Sequence, residues 1–276
     1  LVHRRRALEK LDGVMAGPAA AVRSGIGKHL LGAAVTLLCL GVLAYRVDLA
    51  DFEAKLDGAH AVLISHMRGH TSDMDRIMEL CDARGLPVVE DAAQGVASTY
   101  KGRPLGSLGT YGAFSFHETK NVISGEGGAL IVNDPSKVLE AEIVREKGTD
   151  RSRFLRGEVD KYTWRSVGSS FLPGELIAAF LWAQLQEADE ITAIRLAAWD
   201  RYYALTARLE GDGLLRRPVV PADCTHNAHM FYILLADGID RQAVLTGLAE
   251  RGVSAVFHYV PLHSSPAGLE LGRADA

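Results

Sequence analysis

Cysteine, aromatic residues and an excess of either charge are all scarce in this chain of 276 residues. Its three cysteines, Cys39, Cys81 and Cys224, are widely spaced, odd in number and form no Cys-x-x-Cys pair. This usage argues against a disulfide framework or a zinc site and fits a reducing cytoplasm. The 30 basic and 34 acidic residues leave a formal net charge of -4, which gives no support for nucleic acid as a partner.

The chain also lacks a clear membrane segment. The apolar stretch from Leu30 to Tyr45 covers 16 residues, whereas a membrane-spanning helix needs about 20. The stretch contains Gly32, Thr36 and Gly41, and no small-residue cleavage site of a signal peptide follows it. We therefore favour a buried helix and expect no stable membrane anchor, with an anchor as the alternative.

Hydrophobic patterning predicts alternating strands and helices over the first half of the chain. This alternation favours an α/β fold in which helices cover a mainly parallel sheet. Gly85 is expected to end the first predicted helix, and Thr71, Ser72 and Asp73 are candidates for its N-cap. The predicted strands cover residues 59–65, 86–90, 112–116 and 128–133, and the predicted helices cover residues 71–84 and 135–146.

In the second half of the chain the sequence predicts a long helix and a small domain instead of regularly alternating strands and helices. After Pro173-Gly174, apolar residues recur at helical spacing as far as Leu209, which predicts one long helix joining two lobes. A small C-terminal α+β domain is predicted to follow, with strands at 230–236 and 255–259 and a helix at 240–251. We accordingly divide the chain into residues 1–172 and 173–276. His258 and His263 are either surface histidines or substrate contacts.

Residues 88–134 carry the most informative motif. Asp91 follows an apolar strand, Gln94 lies three residues further on, and Ser115 precedes Lys120 by five residues. Pyridoxal phosphate needs such groups: a carboxylate to keep its ring nitrogen protonated, a hydroxyl for its phosphate and a lysine for its aldehyde. Gln94 would lie near the ring hydroxyl or the cofactor-lysine linkage. Lys120 would also act as the general base on an amino substrate.

Each of these residues also has a simpler interpretation. An aspartate after a buried strand is often only a turn or helix-capping residue, and a lone loop lysine is usually a solvated charge. The order of Glu90-Asp91-Ala92-Ala93-Gln94, Ser115, Lys120-Asn121 and Gly125-Glu126-Gly127-Gly128 favours the cofactor site over coincidence.

With these motifs, residues 88–134 resemble the DegT/DnrJ/EryC1/StrS family of sugar aminotransferases. The resemblance implies the type I fold of pyridoxal phosphate enzymes, a nucleotide-sugar substrate, glutamate as amino donor and a homodimer. It also implies Lys120 as the lysine that binds the cofactor, Asp91 at the pyridine nitrogen, Gln94 near the ring hydroxyl and Ser115 at the phosphate. Ser24 and Gly25, before an apolar helix, resemble the loop that cradles the cofactor phosphate.

Further segments resemble members that aminate C4 of a dTDP-4-keto-6-deoxy sugar for surface polysaccharide of the enterobacterial common antigen type. Amination of another nucleotide sugar, as in perosamine synthesis, is the alternative within the family. The segments that carry this resemblance are residues 145–154, 160–165, 181–185, 227–232 and 255–263.

The chain departs from the family pattern at several places. Gly168-Ser169-Ser170 has serine where many members have an asparagine that reaches the phosphate bound to the neighbouring subunit. About 25 to 30 residues of the family pattern are expected to be missing near Val42, and the small domain is expected to be truncated after Ala276. A catalytically impaired fragment that keeps the fold is therefore an alternative to an active enzyme.

A basic cluster between residues 145 and 165 allows two interpretations. Its arginines suit the diphosphate of a nucleotide sugar, or they are solvated and balanced by Glu146, Asp150, Glu158 and Asp160. Tyr162 and Trp164 are candidates for stacking on a base or sugar, or for packing. The cluster comprises Arg145, Lys147, Arg151, Arg153, Arg156, Lys161 and Arg165.

Overall fold

The computed structural model describes residues 47–257, 260–261 and 264–271. Ser24, Gly25, the stretch from Leu30 to Tyr45, His258 and His263 lie outside the described residues. The strands are β1 (Val62–Ser65), β2 (Val88–Asp91), β3 (Thr99–Tyr100), β4 (Arg103–Pro104), β5 (Tyr111–Ser115), β6 (Gly128–Val132), β7 (Leu215–Arg216), β8 (Cys224–Thr225) and β9 (Leu234–Leu235). The helices are α1 (Leu49–Ala54), α2 (Met74–Asp82), α3 (Val138–Arg145), α4 (Arg151–Leu155), α5 (Glu175–Gln186), α6 (Ala188–Leu205), α7 (Ala207–Gly211), α8 (Arg241–Ala249) and α9 (Pro266–Leu271).

The main sheet has four strands in the order β1-β2-β5-β6. β1, β2 and β5 run parallel, as the alternating pattern predicts, and β6 runs antiparallel to β5. The four predicted strands of this region are confirmed to within a few residues. β2 extends one residue further than expected, so that Asp91 ends the strand instead of following it.

The helix between β1 and β2 shows why the sequence specifies this part well. Asp73 caps α2 by accepting a hydrogen bond from the backbone N–H of Arg76 (3.2 Å), and Gly85 follows the helix with a positive φ of 64°. The residues that α2 buries recur at helical spacing and pack into the core with Phe52 of α1 and Val88 of β2. They are Met74, Ile77, Leu80 and Cys81.

The second half of the chain departs from its prediction. The expected long helix is three helices, α5, α6 and α7, interrupted at Glu187 and Thr206. The 3.6-residue pattern continues across both breaks, so apolar spacing alone cannot locate them. The strand expected over residues 230–236 shrinks to β9, and residues 255–257 of the last expected strand are irregular. The helix expected over residues 240–251 is confirmed as α8.

A small second sheet connects distant parts of the chain. β3 and β4 form a hairpin, and β8 pairs antiparallel with β3 through Thr99–Thr225 and Tyr100–Cys224. This pairing brings the segment after β8 close to the loops that follow β1 and β2. Within the described part of the chain, no helix combines the length and apolar character that crossing a bilayer requires.

Candidate active site

Three of the predicted site residues lie at the carboxyl edge of the parallel strands. In the sheet register Asp91 pairs with Ser65 on one side and with Ala113 on the other. Paired residues share a face of the sheet, and so do residues two apart on one strand. Asp91 and Ser115 therefore face the same side, at the edge where ligands of open α/β sheets bind.

The Asp91 carboxylate is half-buried and held in place by two contacts. Its Oδ1 atom accepts a hydrogen bond from the backbone N–H of Ala93 (3.1 Å), and its Oδ2 atom accepts one from the Ser65 hydroxyl (3.3 Å). Neither partner is a cation. An oriented carboxylate without a cationic partner among the described residues suits a protonated ring nitrogen.

Lys120 lies in a tight loop directly after β5. Its backbone N–H donates to the carbonyl of His117 (2.9 Å), and the Glu118 N–H donates to the carbonyl of Gly125 (2.9 Å). The Lys120 side chain is half-buried, and its Nζ atom forms no hydrogen bond or ion pair within the described residues. The Ser115 hydroxyl, at the end of the same strand, accepts from the backbone N–H of His117 (3.3 Å).

Gln94 is fixed through its carbonyl oxygen. Oε1 of Gln94 accepts a hydrogen bond from the backbone N–H of Arg68 (2.6 Å), a residue held at a positive φ of 67°. With the oxygen engaged, the amide NH₂ of Gln94 is the group that can donate to a ligand. The guanidinium of Arg68 stacks over the ring of Tyr232, 4.7 Å from its centroid.

Glu90 supports the site from the opposite face of the sheet, a role that the sequence did not indicate. Its buried carboxylate accepts hydrogen bonds from the backbone N–H groups of Gly106 (2.8 Å), Leu108 (2.6 Å) and Gly109 (2.6 Å). Burial by itself would raise the pKa of Glu90, but hydrogen bonds from His66 and from these amides outweigh it and lower that pKa. The one available signal is an acidic residue inside an otherwise apolar strand.

Two asparagines and a histidine near Lys120 were also missed as functional candidates. Asn121 contacts the backbone of Asn227 and the ring of His229. Asn227 in turn contacts the loop that carries Gln94. The sequence offered only the short Asn227-Ala228-His229 motif, because these residues lie more than a hundred positions from Lys120.

Most arginines of the basic cluster are paired with carboxylates. Arg156 forms a bidentate pair with Glu142 (2.8 and 3.0 Å), and Arg165 donates to the buried Asp150 (2.6 Å). Arg153 and Arg156 both contact Glu158, and Arg151 lies 3.6 Å from Glu146. These contacts favour the interpretation that acidic neighbours balance the cluster.

The two aromatic side chains of this segment differ. Tyr162 packs edge-on against Phe154, with ring centroids 5.7 Å apart. Trp164, in contrast, is 75% exposed among the described residues. Packing therefore accounts for Tyr162, whereas stacking on a ligand remains a prediction for Trp164.

The residues at the carboxyl edge fit pyridoxal phosphate. Asp91 supplies an anionic acceptor that is already oriented by Ala93 and Ser65. Ser115 supplies a hydroxyl on the same face, and Lys120 supplies a primary amine without a partner among the described residues. This set matches, group by group, the needs of the ring nitrogen, the phosphate and the aldehyde of that cofactor.

Comparison with known proteins shows the family to which the chain belongs. The family model described as DegT/DnrJ/EryC1/StrS aminotransferase family matches residues 31–274. The chain is 31% identical over 236 residues to GDP-perosamine synthase of Caulobacter vibrioides, covering 84% of this chain and 61% of the relative. It is 35% identical over 211 residues to dTDP-3-amino-3,4,6-trideoxy-alpha-D-glucose transaminase of Streptomyces venezuelae, covering 75% and 51%.

A solved structure gives the same result at the level of the fold. The crystal structure of S. venezuelae DesV in complex with a ketimine intermediate superimposes with a TM-score of 0.71 at 31% identity, covering 83% of this chain and 58% of DesV. The chain thus spans between half and two thirds of the length of these proteins. The predicted type I fold is confirmed. The chain belongs to the DegT/DnrJ/EryC1/StrS aminotransferase family, whose cofactor is pyridoxal phosphate.

Proposed function

We propose that the chain is a sugar aminotransferase that moves an amino group from glutamate to C4 of a dTDP-4-keto-6-deoxy sugar, for surface polysaccharide of the enterobacterial common antigen type. One observation carries the proposal: Asp91 and Ser115 face the same side of the sheet at its carboxyl edge, and the loop after Ser115 presents the amine of Lys120. The specific sugar rests on the segments between residues 145 and 263 that resemble this branch of the family.

Each residue then has a defined task. Pyridoxal phosphate, when bound, supplies the electron sink that stabilises negative charge at the carbon losing its proton. Asp91 would hold the ring nitrogen in its protonated form, and Ser115 would donate to the phosphate. Lys120 would bind the cofactor covalently and, once displaced by the amino donor, move the proton at the donor's Cα. The Gln94 NH₂ would donate to the ring hydroxyl.

The first half of the reaction takes up one water, whose oxygen becomes the keto oxygen of 2-oxoglutarate, and leaves the amino group of glutamate on the enzyme. The second half transfers that amino group to the ketone at C4 of the sugar, whose oxygen leaves as water. Glutamate and the nucleotide sugar are therefore the proposed partners. Ser24 and Gly25 belong to the proposal as further phosphate contacts.

A homodimer is part of this proposal. Large apolar side chains between residues 164 and 182 are exposed in the described part of the chain, which is typical of an interface with another protein surface. Sedimentation equilibrium tests this: a monomer at micromolar concentration would contradict it. The exposed residues are Trp164 (75%), Val167 (85%), Phe171 (65%), Leu176 (88%) and Trp182 (66%).

We also propose a cytoplasmic site of action. Cys81 is buried and forms no disulfide, and burial raises the pKa of its thiol to about 11. A buried thiol of this kind suits a reducing compartment. Fractionation of cells that express the protein tests this, and recovery in the membrane fraction would contradict it.

The decisive experiment follows the cofactor and the nitrogen separately. Purified protein is mixed with pyridoxal phosphate, reduced with borohydride and digested, and the modified peptide is identified by mass spectrometry. We expect the label on Lys120 in the unsubstituted chain, and its loss in Lys120→Ala but not in Lys137→Ala, a surface lysine paired with Glu140. Label on other lysines only would overturn the assignment of Lys120.

Nitrogen transfer distinguishes the candidate reactions. With ¹⁵N-glutamate, NMR of the product identifies the sugar carbon that carries the label. A second candidate is amination of a GDP-linked keto sugar, favoured by the 31% identity to the Caulobacter enzyme. A third is a fragment that binds the cofactor without turnover, favoured by the share of its relatives that the chain spans. Transfer to the dTDP sugar at C4 supports the main proposal, and transfer only to the GDP sugar, or none, contradicts it.

A further inference from the structure

Asn121 and Asn227 are buried between three loops that surround the candidate site. Asn121 is 8% exposed and directly follows Lys120, and Asn227 is 1% exposed and follows β8. Buried amides are costly unless their hydrogen-bonding groups find partners. Both asparagines satisfy this requirement, and the N–H groups of both amides donate to segments distant in sequence.

The side chain of Asn227 is fastened to the Gln94 loop. Its two N–H groups donate to the carbonyls of Gln94 and Val96, each at 2.8 Å. Its Oδ1 atom accepts from the backbone N–H of His229 (3.0 Å). Both donors of this amide are thus committed to the loop that carries Gln94.

Asn121 extends the connection to the Lys120 loop. Its Nδ2 atom donates to the backbone carbonyl of Asn227 (2.6 Å), which leaves Oδ1 as the acceptor. Nδ1 of His229 lies 3.0 Å from that Oδ1 atom and must therefore carry the proton of the bond. We call Asn121 and Asn227 together the amide bracket.

Residues 228–230, which directly follow Asn227, accept hydrogen bonds from side chains of α6. Arg195 of α6 donates to the carbonyls of Ala228 (3.3 Å) and His229 (2.7 Å). The indole N–H of Trp199, one turn along α6, donates to the carbonyl of Met230 (3.2 Å). These hydrogen bonds anchor the segment that contains Asn227 to α6.

Asn121 connects the loop that carries Lys120 to this anchored segment. Glu118 and Thr119 are exposed, and the backbone hydrogen bonds of residues 118 and 120 run only to residues within the same turn and to Gly125. Asn121 is the residue at which this loop reaches the segment that also holds Gln94. Asn121 bonds to Asn227, and Asn227 bonds to the backbone of Gln94. These two hydrogen bonds link the loop that carries Lys120 to the loop that carries Gln94.

We propose that Asn121 and Asn227 are positioning residues of the site, which set the place of Lys120 relative to Gln94. The inference rests on the proposed function of Lys120 as the cofactor-binding lysine. The bracket limits the motion of the Lys120 loop, so its loss should free that loop before it disturbs the sheet. A merely structural role would instead lower stability without a local effect at residues 118–122.

The test compares Asn121→Asp, Asn227→Ala and the control Asn133→Ala. Asn121→Asp keeps the oxygen that faces His229 but cannot donate to Asn227. Asn133 is a suitable control because its amide also donates to two carbonyls, those of Gly106 and Gly109 (2.9 Å each), at the opposite edge of the sheet. If Asn227→Ala does not fold, Asn121→Asp alone decides the question.

Two readouts use the cofactor-free chain. We expect amide hydrogen exchange at residues 118–122 to become about tenfold faster in the bracket variants, the effect of one lost hydrogen bond, and to stay unchanged in Asn133→Ala. We also expect the rate of Lys120 acetylation by acetic anhydride, measured relative to Lys137, to change only in the bracket variants. Unchanged exchange and acetylation together with a lower melting temperature would overturn the proposal.

A third readout adds pyridoxal phosphate and follows the pH midpoint of the visible absorption of the lysine-bound cofactor. A shift in the bracket variants supports a positioning role, and a midpoint equal to that of the control contradicts it. If the unsubstituted chain binds no cofactor, the proposed function fails. Exchange and acetylation in the cofactor-free chain still decide whether the bracket restrains Lys120.

Discussion

Nε2 of His66 lies 2.7 Å from Oε2 of Glu90, and both side chains are completely buried. The carboxylate accepts this hydrogen bond together with those of the loop before β5. Glu90 therefore ties β2, which carries Asp91, to the loop that leads into the strand carrying Ser115. One buried carboxylate thus adds a side-chain connection between the two paired strands on which the candidate site is built.

Replacing Glu90 with glutamine should lower the free energy of unfolding by about 3 kcal/mol, since the charge is lost and, in either orientation of the amide, the NH₂ group faces a backbone N–H that the carboxylate accepts from. Urea denaturation measures this loss. The control is Glu140→Gln on the exposed face of α3, which should cost less than about 0.5 kcal/mol. Equal losses in the two variants would contradict the role given to Glu90.

Glu90 should also make stability depend on acid pH. Its pKa in the folded chain is lowered from the ordinary value of 4.5, so the folded state favours the charged carboxylate. The resulting stabilisation is present above pH 4.5 and is lost as the pH falls through the folded-state pKa. Urea denaturation at decreasing pH should show a shallower loss in Glu90→Gln than in the unsubstituted chain, and parallel curves would refute this.

Asp91→Asn should separate catalysis from folding. The amide oxygen can still accept from Ala93, but the negative charge opposite the ring nitrogen is gone. We expect transamination to fall at least about 100-fold while the melting temperature changes little. The exposed Asp57→Asn serves as the control for charge. Full activity in Asp91→Asn would remove Asp91 from the site.

Gly69 tests the packing beside Asn227. It has a φ of +78°, and a Cβ atom there would collide with Oδ1 of Asn227 and lie 3.1 Å from the Gln94 carbonyl. Gly58 has nearly the same φ, +79°, with no atom within 4 Å of a built Cβ. Gly58→Ala should therefore cost about 1 kcal/mol from backbone strain, and Gly69→Ala about 1 to 3 kcal/mol more from the collision. Urea denaturation measures both losses of unfolding free energy. Equal losses in Gly69→Ala and Gly58→Ala would mean that the side chain of Asn227 moves aside at no cost.

Asp150 should control the order of the segment of residues 151–165, which contains α4 and most of the basic cluster. It accepts from the backbone N–H of Thr163 (2.8 Å) and from Arg165 (2.6 Å), and these bonds lower its pKa. Asp150→Asn should speed tryptic cleavage after Arg151, Arg153 and Arg156 about tenfold, because the loop loses its charged anchor. The exposed Asp160→Asn should not. The time course of digestion measures this difference. Equal cleavage rates in the two variants would contradict the role given to Asp150.

Local sequence patterns predicted the elements that surround the site. The capping Asp73, the apolar spacing of α2 and the stop at Gly85 define one helix, and β1, β2, β5 and β6 lie close to their expected positions. The order of Asp91, Ser115 and Lys120 identified the candidate cofactor site. The helix and the strands depend on residues within a few positions of one another, where propensity and periodicity are strong, and the candidate site depends on the order of residue types along the chain.

The tertiary structure decided the features that depend on contacts between distant residues. The antiparallel direction of β6, the interruptions at Glu187 and Thr206, and the contacts of Glu90 follow from packing that the local pattern does not encode. The connection of Asn121 to Asn227 joins residues 106 positions apart, and the pairing of β8 with β3 and the hydrogen bonds from α6 bring them together. The sequence by itself determined which groups can serve the chemistry, because residue types are local. Their mutual placement required the fold, because hydrogen bonds between distant segments form only when the sheets assemble.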